Sequence, residues 1–253
     1  MVLIDENKIK IDKRGEFMVE GFRVDIPSKY RGQGLNAIFT ASTRKINKFI
    51  SNSDLSPVQI IYGTSLLCLT IFRFNSSPVG AYDELVISVP VKYKSKMNLP
   101  LLPLVFRNYK NFGYLVLDIM QSTPIAIKHG NLLTGYPHND EVISMDVEKI
   151  NNNFVFEFYG CHNEKILKVG FNKISREKTI EHSYMTYYIE DGSLSRIRMD
   201  IYGIESKAQG LKLTLGNHKI SQLVNNLDIG NHPVYSRFYN DVIEVNPVTL
   251  DKL

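Results

Sequence analysis

The sequence predicts a mainly β protein of the α+β class, with a few helices set around the strands. Three observations carry that expectation. Apolar side chains recur at a period of two, most plainly Phe154, Phe156 and Phe158 against Val155, Glu157 and Tyr159. Turn residues recur between such segments, at Gly160-Cys161-His162-Asn163 and at Asp191-Gly192. The 253 residues, 43% hydrophobic and 22% charged, suit a globular chain with a sizeable core. One domain over 1–253 behind a polar lead-in at 1–16 is the simplest organisation, since no repeat or linker interrupts the pattern.

In order, residues 17–24 read as a first strand. Residues 27–34 read as a loop, with Arg23 and Arg31 nearby, and 35–41 as a strand. Ser42 stands at the N-cap of a short helix over 43–50, whose Ile46, Phe49 and Ile50 share one face. Strands follow at 58–62 and 65–74; the second is apolar on both faces and therefore central. Asn75-Ser76-Ser77-Pro78 makes a turn. In the next strand Leu85, Ile87 and Val89 face one way, and Glu84, Val86 and Ser88 the other. The connection at 92–111 has a length that suits a lid or other functional segment. A strand at 113–119 leads to a helix that Thr123 caps and Pro124 opens. Gly135 and Pro137 stop it, and a strand with Ile143, Met145 and Val147 on one face follows. Beyond the hairpins of 154–171 and 185–202 come a strand at 211–215, a short helix at 220–227 and a closing strand at 238–245.

Composition excludes several functions. The net charge of +4, from 30 basic and 26 acidic residues without a dense basic stripe, argues against nucleic acid. The polar start lacks the apolar core of a signal peptide, and no run has the length of a membrane span. Two cysteines, Cys68 and Cys161, make no disulfide framework, so the cytoplasm is the default location. No Cys-x-x-Cys or His-x-x-x-His pair is present, so neither a metal nor another cofactor is expected.

The corner Gly135-Tyr136-Pro137-His138-Asn139, between a helix and a strand, resembles the acetoacetate decarboxylase family, whose corner reads Gly/Ala-aromatic-Pro-Lys-Lys. Val79-Gly80-Ala81-Tyr82-Asp83-Glu84 resembles the family's Gly-x-Tyr-x-Glu segment, and Glu84 falls on its active-site glutamate. The run from Gly216-Asn217-His218 to Leu227, and then 235–247, resembles its C-terminal helix and last strand. The order holds from about residue 35 onward. The resemblance implies a closed, cone-like antiparallel β-barrel around a buried cavity, with peripheral helices.

The family reaction uses a lysine amine that forms an imine with a ketone, activated by a second cation or an apolar pocket. Here His138 and Asn139 stand in place of the two lysines. Imidazole has no primary amine, and Asn139 cannot depress a neighbour's pKa by charge. The resemblance therefore implies a lyase-like enzyme acting on a small oxo acid or related carbonyl compound without the usual lysine Schiff base. His138 and Glu84 are the catalytic candidates, as proton carriers. Arg31, Lys128, Tyr136 and Asn139 are the substrate-binding candidates. Arg31 lies one residue from the family's loop arginine, whose position falls on Gly32, and one residue in a strand reverses the face. The simpler reading of Lys128 is a solvated helix lysine. The expected partner is a small carboxylate or carbonyl ligand; a homo-oligomer is left open, and nucleic acid and membrane are not expected. The competing reading is a small-ligand-binding protein that kept the barrel and lost catalysis, which needs no amine.

Overall fold

The computed structural model describes residues 15–94, 111–136, 138–190, 192–246 and 251–252. The chain opens with the hairpin β1 (Gly15–Val19) and β2 (Phe22–Ile26). The expected single strand at 17–24 is thus folded in half. Glu20 and Gly21 both have positive φ, 47° and 90°, the conformation a two-residue hairpin turn demands. Next, β3 (Ser28–Ser42) takes up most of the expected loop. α1 (Thr43–Ile46) is a single turn, and Ser42 makes no side-chain cap bond to it, so the longer capped helix is not formed.

There follow β4 (Leu55–Pro57), β5 (Gln59–Ile61), β6 (Thr64–Ser76) and β7 (Tyr82–Tyr93). Most of the expected functional connection after it lies outside the described residues. β8 (Phe112–Gln121), α2 (Pro124–Thr134), β9 (His138–Val142), β10 (Ser144–Ile150) and β11 (Asn153–Tyr159) come next. β12 (Lys165–Glu190) and β13 (Ser193–Leu215) form one long hairpin, which absorbs the strand expected separately at 211–215. α3 (Lys219–Asn226), β14 (Pro233–Asn246) and β15 (Asp251–Lys252) complete the described chain.

All strands but β1 and β2 belong to one sheet of thirteen, with the order β10-β11-β12-β13-β14-β3-β6-β7-β8-β9 along its main path. β8 also pairs with β12, through Met185↔Gly113, Thr186↔Tyr114 and Tyr187↔Leu115. That contact links β3, β6, β7, β8, β12, β13 and β14 into a ring of seven. The β8–β12 and β8–β9 pairings are parallel, so the sheet is mixed and not the wholly antiparallel one expected. A Cβ at Gly113 would lie 2.4 Å from the Met185 carbonyl oxygen; the close approach of the two strands needs glycine there.

The ring strands are apolar on both faces because each face has something to cover it. Leu67, Leu69, Ile71, Leu85, Ile87 and Val89 point outward into the main core, beneath Phe154, Phe156 and Phe158 of β11 and Val224 of α3. Their alternates Cys68, Thr70, Phe72, Glu84, Val86 and Ser88 point inward, onto a cavity.

Candidate functional site

The corner is built as its residues dictate. The Thr123 hydroxyl oxygen accepts from the Ala126 N–H at 3.3 Å, with Pro124 in the first turn of α2. Gly135 ends the helix in the left-handed conformation at φ 62°, its N–H donating to the Asn131 carbonyl at 3.2 Å. Tyr136 is buried and its hydroxyl bonds that of Thr186 on β12. His138 opens β9, paired with Ile119 of β8. Pro137 and the side chain of His138 lie outside the described residues.

Ile119, Tyr136 and Thr186 all line the cavity inside the ring, which has a volume of about 520 Å³. Its wall is mostly apolar, with Ile38, Phe72, Val116 and Met199 among the lining side chains. Val234 and Tyr235, 55% and 39% exposed, mark its outer end. Glu84 lines it, as the alternation along β7 predicts, and pairs in register with Gln121 of β8. The Gln121 amide donates to its carboxylate at 2.7 Å. Burial raises the Glu84 carboxyl to about 7, and the Gln121 bond offsets only part of that.

Glu244, which the sequence reading missed, lines the same cavity from β14. Burial first, and then the charge of Glu84, raise it to about 8. The two carboxyls converge: after burial, the charges of both push up the Tyr30 and Tyr82 phenols. Both carboxyls are thus held above the ordinary carboxylate range, and Glu244 feels the charge of Glu84. The signal for Glu244 was a lone carboxylate in the apolar run Val242-Ile243-Glu244-Val245. What hid it was parity. The register of β14 against β3 shifts between Tyr239 and Val242, and this bulge brings Arg237, Tyr239 and Glu244 to one interior although odd and even positions should oppose.

Three predicted ligand-binding residues do not line the cavity. Arg31 pairs across the strands with Ile243, so it faces away from Tyr30 and Glu244. It holds Asp241 in a two-point ion pair at 2.9 and 2.8 Å. No larger residue fits at the neighbouring Gly32, where a Cβ would meet the Arg73 carbonyl oxygen at 2.0 Å. Lys128 lies on the surface of α2, 54% exposed, in an ion pair with Glu20 at 2.6 Å. The Asn139 side chain accepts from Lys219 at 3.2 Å and from the Glu141 N–H at 3.2 Å. It thus belongs to a polar cluster beside the corner. Tyr136 is the one member of that group in the cavity wall.

The cluster also holds Glu141, Glu164 and His218, whose ligating atoms lie within 4.8 Å of one another. His218 Nδ1 accepts from the Ile220 N–H at 3.2 Å, which leaves the proton on Nε2, the atom 3.1 Å from both Glu141 oxygens. Glu141, His218 and Lys219 are joined there in one hydrogen-bond network. Burial alone would raise Glu141, but the Cys161 N–H, His218 and Lys219 outweigh it and hold the carboxyl at about 2. Among the described residues both cysteines are free; Cys68 lines the cavity, and burial raises its thiol and weakens it as a nucleophile.

Solved structures share this fold over most of the chain. An acetoacetate decarboxylase superposes with a TM-score of 0.66 at 14% identity, covering 90% of this chain and 89% of its own. The fold is acetoacetate decarboxylase-like. The acetoacetate decarboxylase of Legionella pneumophila gives a TM-score of 0.64 at 12% identity, over 100% of this chain and 96% of that one. The enduracididine biosynthesis enzyme MppR, bound to the condensation product of pyruvate and imidazole 4-carboxaldehyde, gives 0.56 at 10% identity, over 89% and 88%. No protein-family model and no curated protein sequence matches the chain. Within this acetoacetate decarboxylase-like fold, no helix among the described residues is long and apolar enough to cross a membrane.

Proposed function

We propose that the seven-strand ring works as a closed barrel and reaction chamber for a small oxo acid or related carbonyl compound. Its chemistry is proton transfer at the carbon next to the carbonyl, carried by Glu84 and Glu244. The observation that supports this is two buried carboxyls on one apolar cavity, raised to about 7 and about 8. At neutral pH such a pair holds about one proton. The ionised member can take a proton from carbon, while the protonated one donates a hydrogen bond to the developing enolate oxygen. No imine at position 138 is needed or available. His138, whose backbone pairs with that of the wall residue Ile119, is assigned in this proposal as a further proton carrier.

The test is α-proton exchange. The protein is incubated in D₂O with a panel of small 2-oxo and 3-oxo acids, and loss of the α-proton signal is followed by NMR. Exchange should be faster with the native protein than with Glu84→Gln or Glu244→Gln, by about 10²-fold or more, as for loss of a general acid or base. Equal rates for native protein and both variants across the panel would end the catalytic reading. Retained ligand binding in that case would favour the second reading, a binding protein. The observation behind that reading is the pair His138-Asn139 at the corner where the family resemblance implies two lysines.

A further inference from the structure

A second polar group faces the same cavity, away from the carboxyl pair. Arg237 lines the cavity from β14 and is 8% exposed. Its guanidinium lies over the Tyr239 ring at 5.0 Å and the Tyr235 ring at 5.8 Å. Nη1 donates to Glu205 at 3.2 Å, while Nε is buried with no hydrogen-bond partner. Asn36 is its register partner on β3, also in the cavity wall and 7% exposed. The Asn36 Nδ2 donates to Cys68 Sγ and Thr70 Oγ1, both at 2.9 Å, and its Oδ1 is buried without a partner. A guanidinium N–H and an amide end thus stand side by side, desolvated and unpaired. Leaving such groups unmet carries their full desolvation cost, which is greater for a charge.

Pairing places this group relative to Glu84. Successive partners run Arg237↔Asn36, Asn36↔Thr70 and Thr70↔Val86, from β14 through β3 and β6 to β7. Three steps in a ring of seven reach the opposite wall. Glu84 lies two residues before Val86 on β7, about 7 Å away. A cation and a carboxylate therefore look across the cavity from opposed strands, with Phe72 and Tyr239 in the wall near them.

We propose that Arg237 and Asn36 form a subsite for the remote carboxylate of a two-ended ligand, whose other end meets the Glu84–Glu244 pair. The substrate class is an oxo acid with a second carboxylate several carbons from its carbonyl. This rests on the proposed role of the carboxyl pair for the reacting end, and not for the anchored end. The Nε–H and the guanidinium charge take the carboxylate. The Asn36 amide can turn its NH₂ to the ligand, because the Thr70 hydroxyl and Cys68 thiol can then donate to its oxygen.

The test uses hexanoate and hexanol as probes of the anchored end, by calorimetric titration at pH 8. At that pH the carboxyl pair carries more than one negative charge and repels a second carboxylate. Native protein should bind hexanoate, and Arg237→Gln should weaken it about tenfold or more while hexanol binding is retained. The double variant Arg237→Gln, Glu205→Gln avoids a stranded carboxylate and should show the same selective loss. Arg237→Lys should restore part of it. Glu84→Gln with Glu244→Gln should leave hexanoate bound, even if that variant shows the exchange chemistry to be absent. No hexanoate binding to native protein, or equal affinity for hexanoate before and after Arg237→Gln with Glu205→Gln, would overturn the subsite. Hexanamide binding as well as hexanoate does would also overturn the commitment to a carboxylate.

Discussion

At the scale of single residues, His138 after the corner proline offers no amine, and the proposed chemistry does without an imine there. An imine needs an unprotonated primary amine, and an ordinary lysine near ~10.4 is almost wholly protonated at neutral pH. Lys128 is tied to Glu20 on the surface. Lys92 is buried, and burial lowers its amine below the ordinary range, but it is not among the residues that line the cavity. Mixing the protein with acetoacetate and borohydride should therefore leave its intact mass unchanged. A stoichiometric reduced adduct would show an amine at work, and peptide mapping to Lys92 would identify it. Glu84 was legible because strict alternation along β7 sets its face. Glu244 and Arg237 were not, because a bulge between them resets the alternation and no local residue signals it.

At the scale of elements, α2 and its ends were readable residue by residue. Thr123, Pro124 and Gly135 each do locally what their chemistry favours, so tertiary contacts had nothing to override. Thr123→Ala should cost about 1 kcal/mol, as for loss of an N-cap. Gly135→Ala should cost more. It puts a side chain in the left-handed region and a Cβ 2.8 Å from the Tyr188 hydroxyl. Chemical denaturation of the two variants checks the order; Gly135→Ala as stable as native would mean the corner relaxes freely. The hairpin β1–β2 was read as one strand because Phe17, Val19 and Val24 keep a strand-like composition across Glu20-Gly21. The parallel pairings of β8 were beyond reading for another reason: they join segments distant in sequence, and side-chain period does not encode strand direction.

At the scale of the whole molecule, the buried carboxyls set how stability depends on pH. Glu84 and Glu244 have folded values of about 7 and 8, above the ~4.3 of an unfolded glutamate. Between those limits the native state binds more protons than the unfolded state, so stability falls as pH rises from about 4.5 through 8. Glu141, held at about 2, acts in the opposite sense: its contribution is present above about 4.5 and is lost as pH falls through 2. Thermal melts should thus show a fall in Tm from pH 5 to pH 9, and the double variant Glu84→Gln with Glu244→Gln should flatten it. A native curve that rises over that range would mean the pair is ionised at little cost, for example by a bound cation.

The ring is joined at β8 and β12 by three residue pairs, against twenty between β12 and β13. A ring with one short weld should part along that line before it parts anywhere else. Tyr114 and Thr186 within the weld, and Val116 and Tyr184 beside it, line the cavity, so its brief parting would open a side door for a ligand. Amide hydrogens of 113–115 and 185–187 should exchange with deuterium ahead of those in β3 and β6, and a tightly bound ligand should slow them. Gly113→Ala, which cannot close the weld without displacing the Met185 carbonyl, should speed ligand entry and exit together while shifting affinity far less.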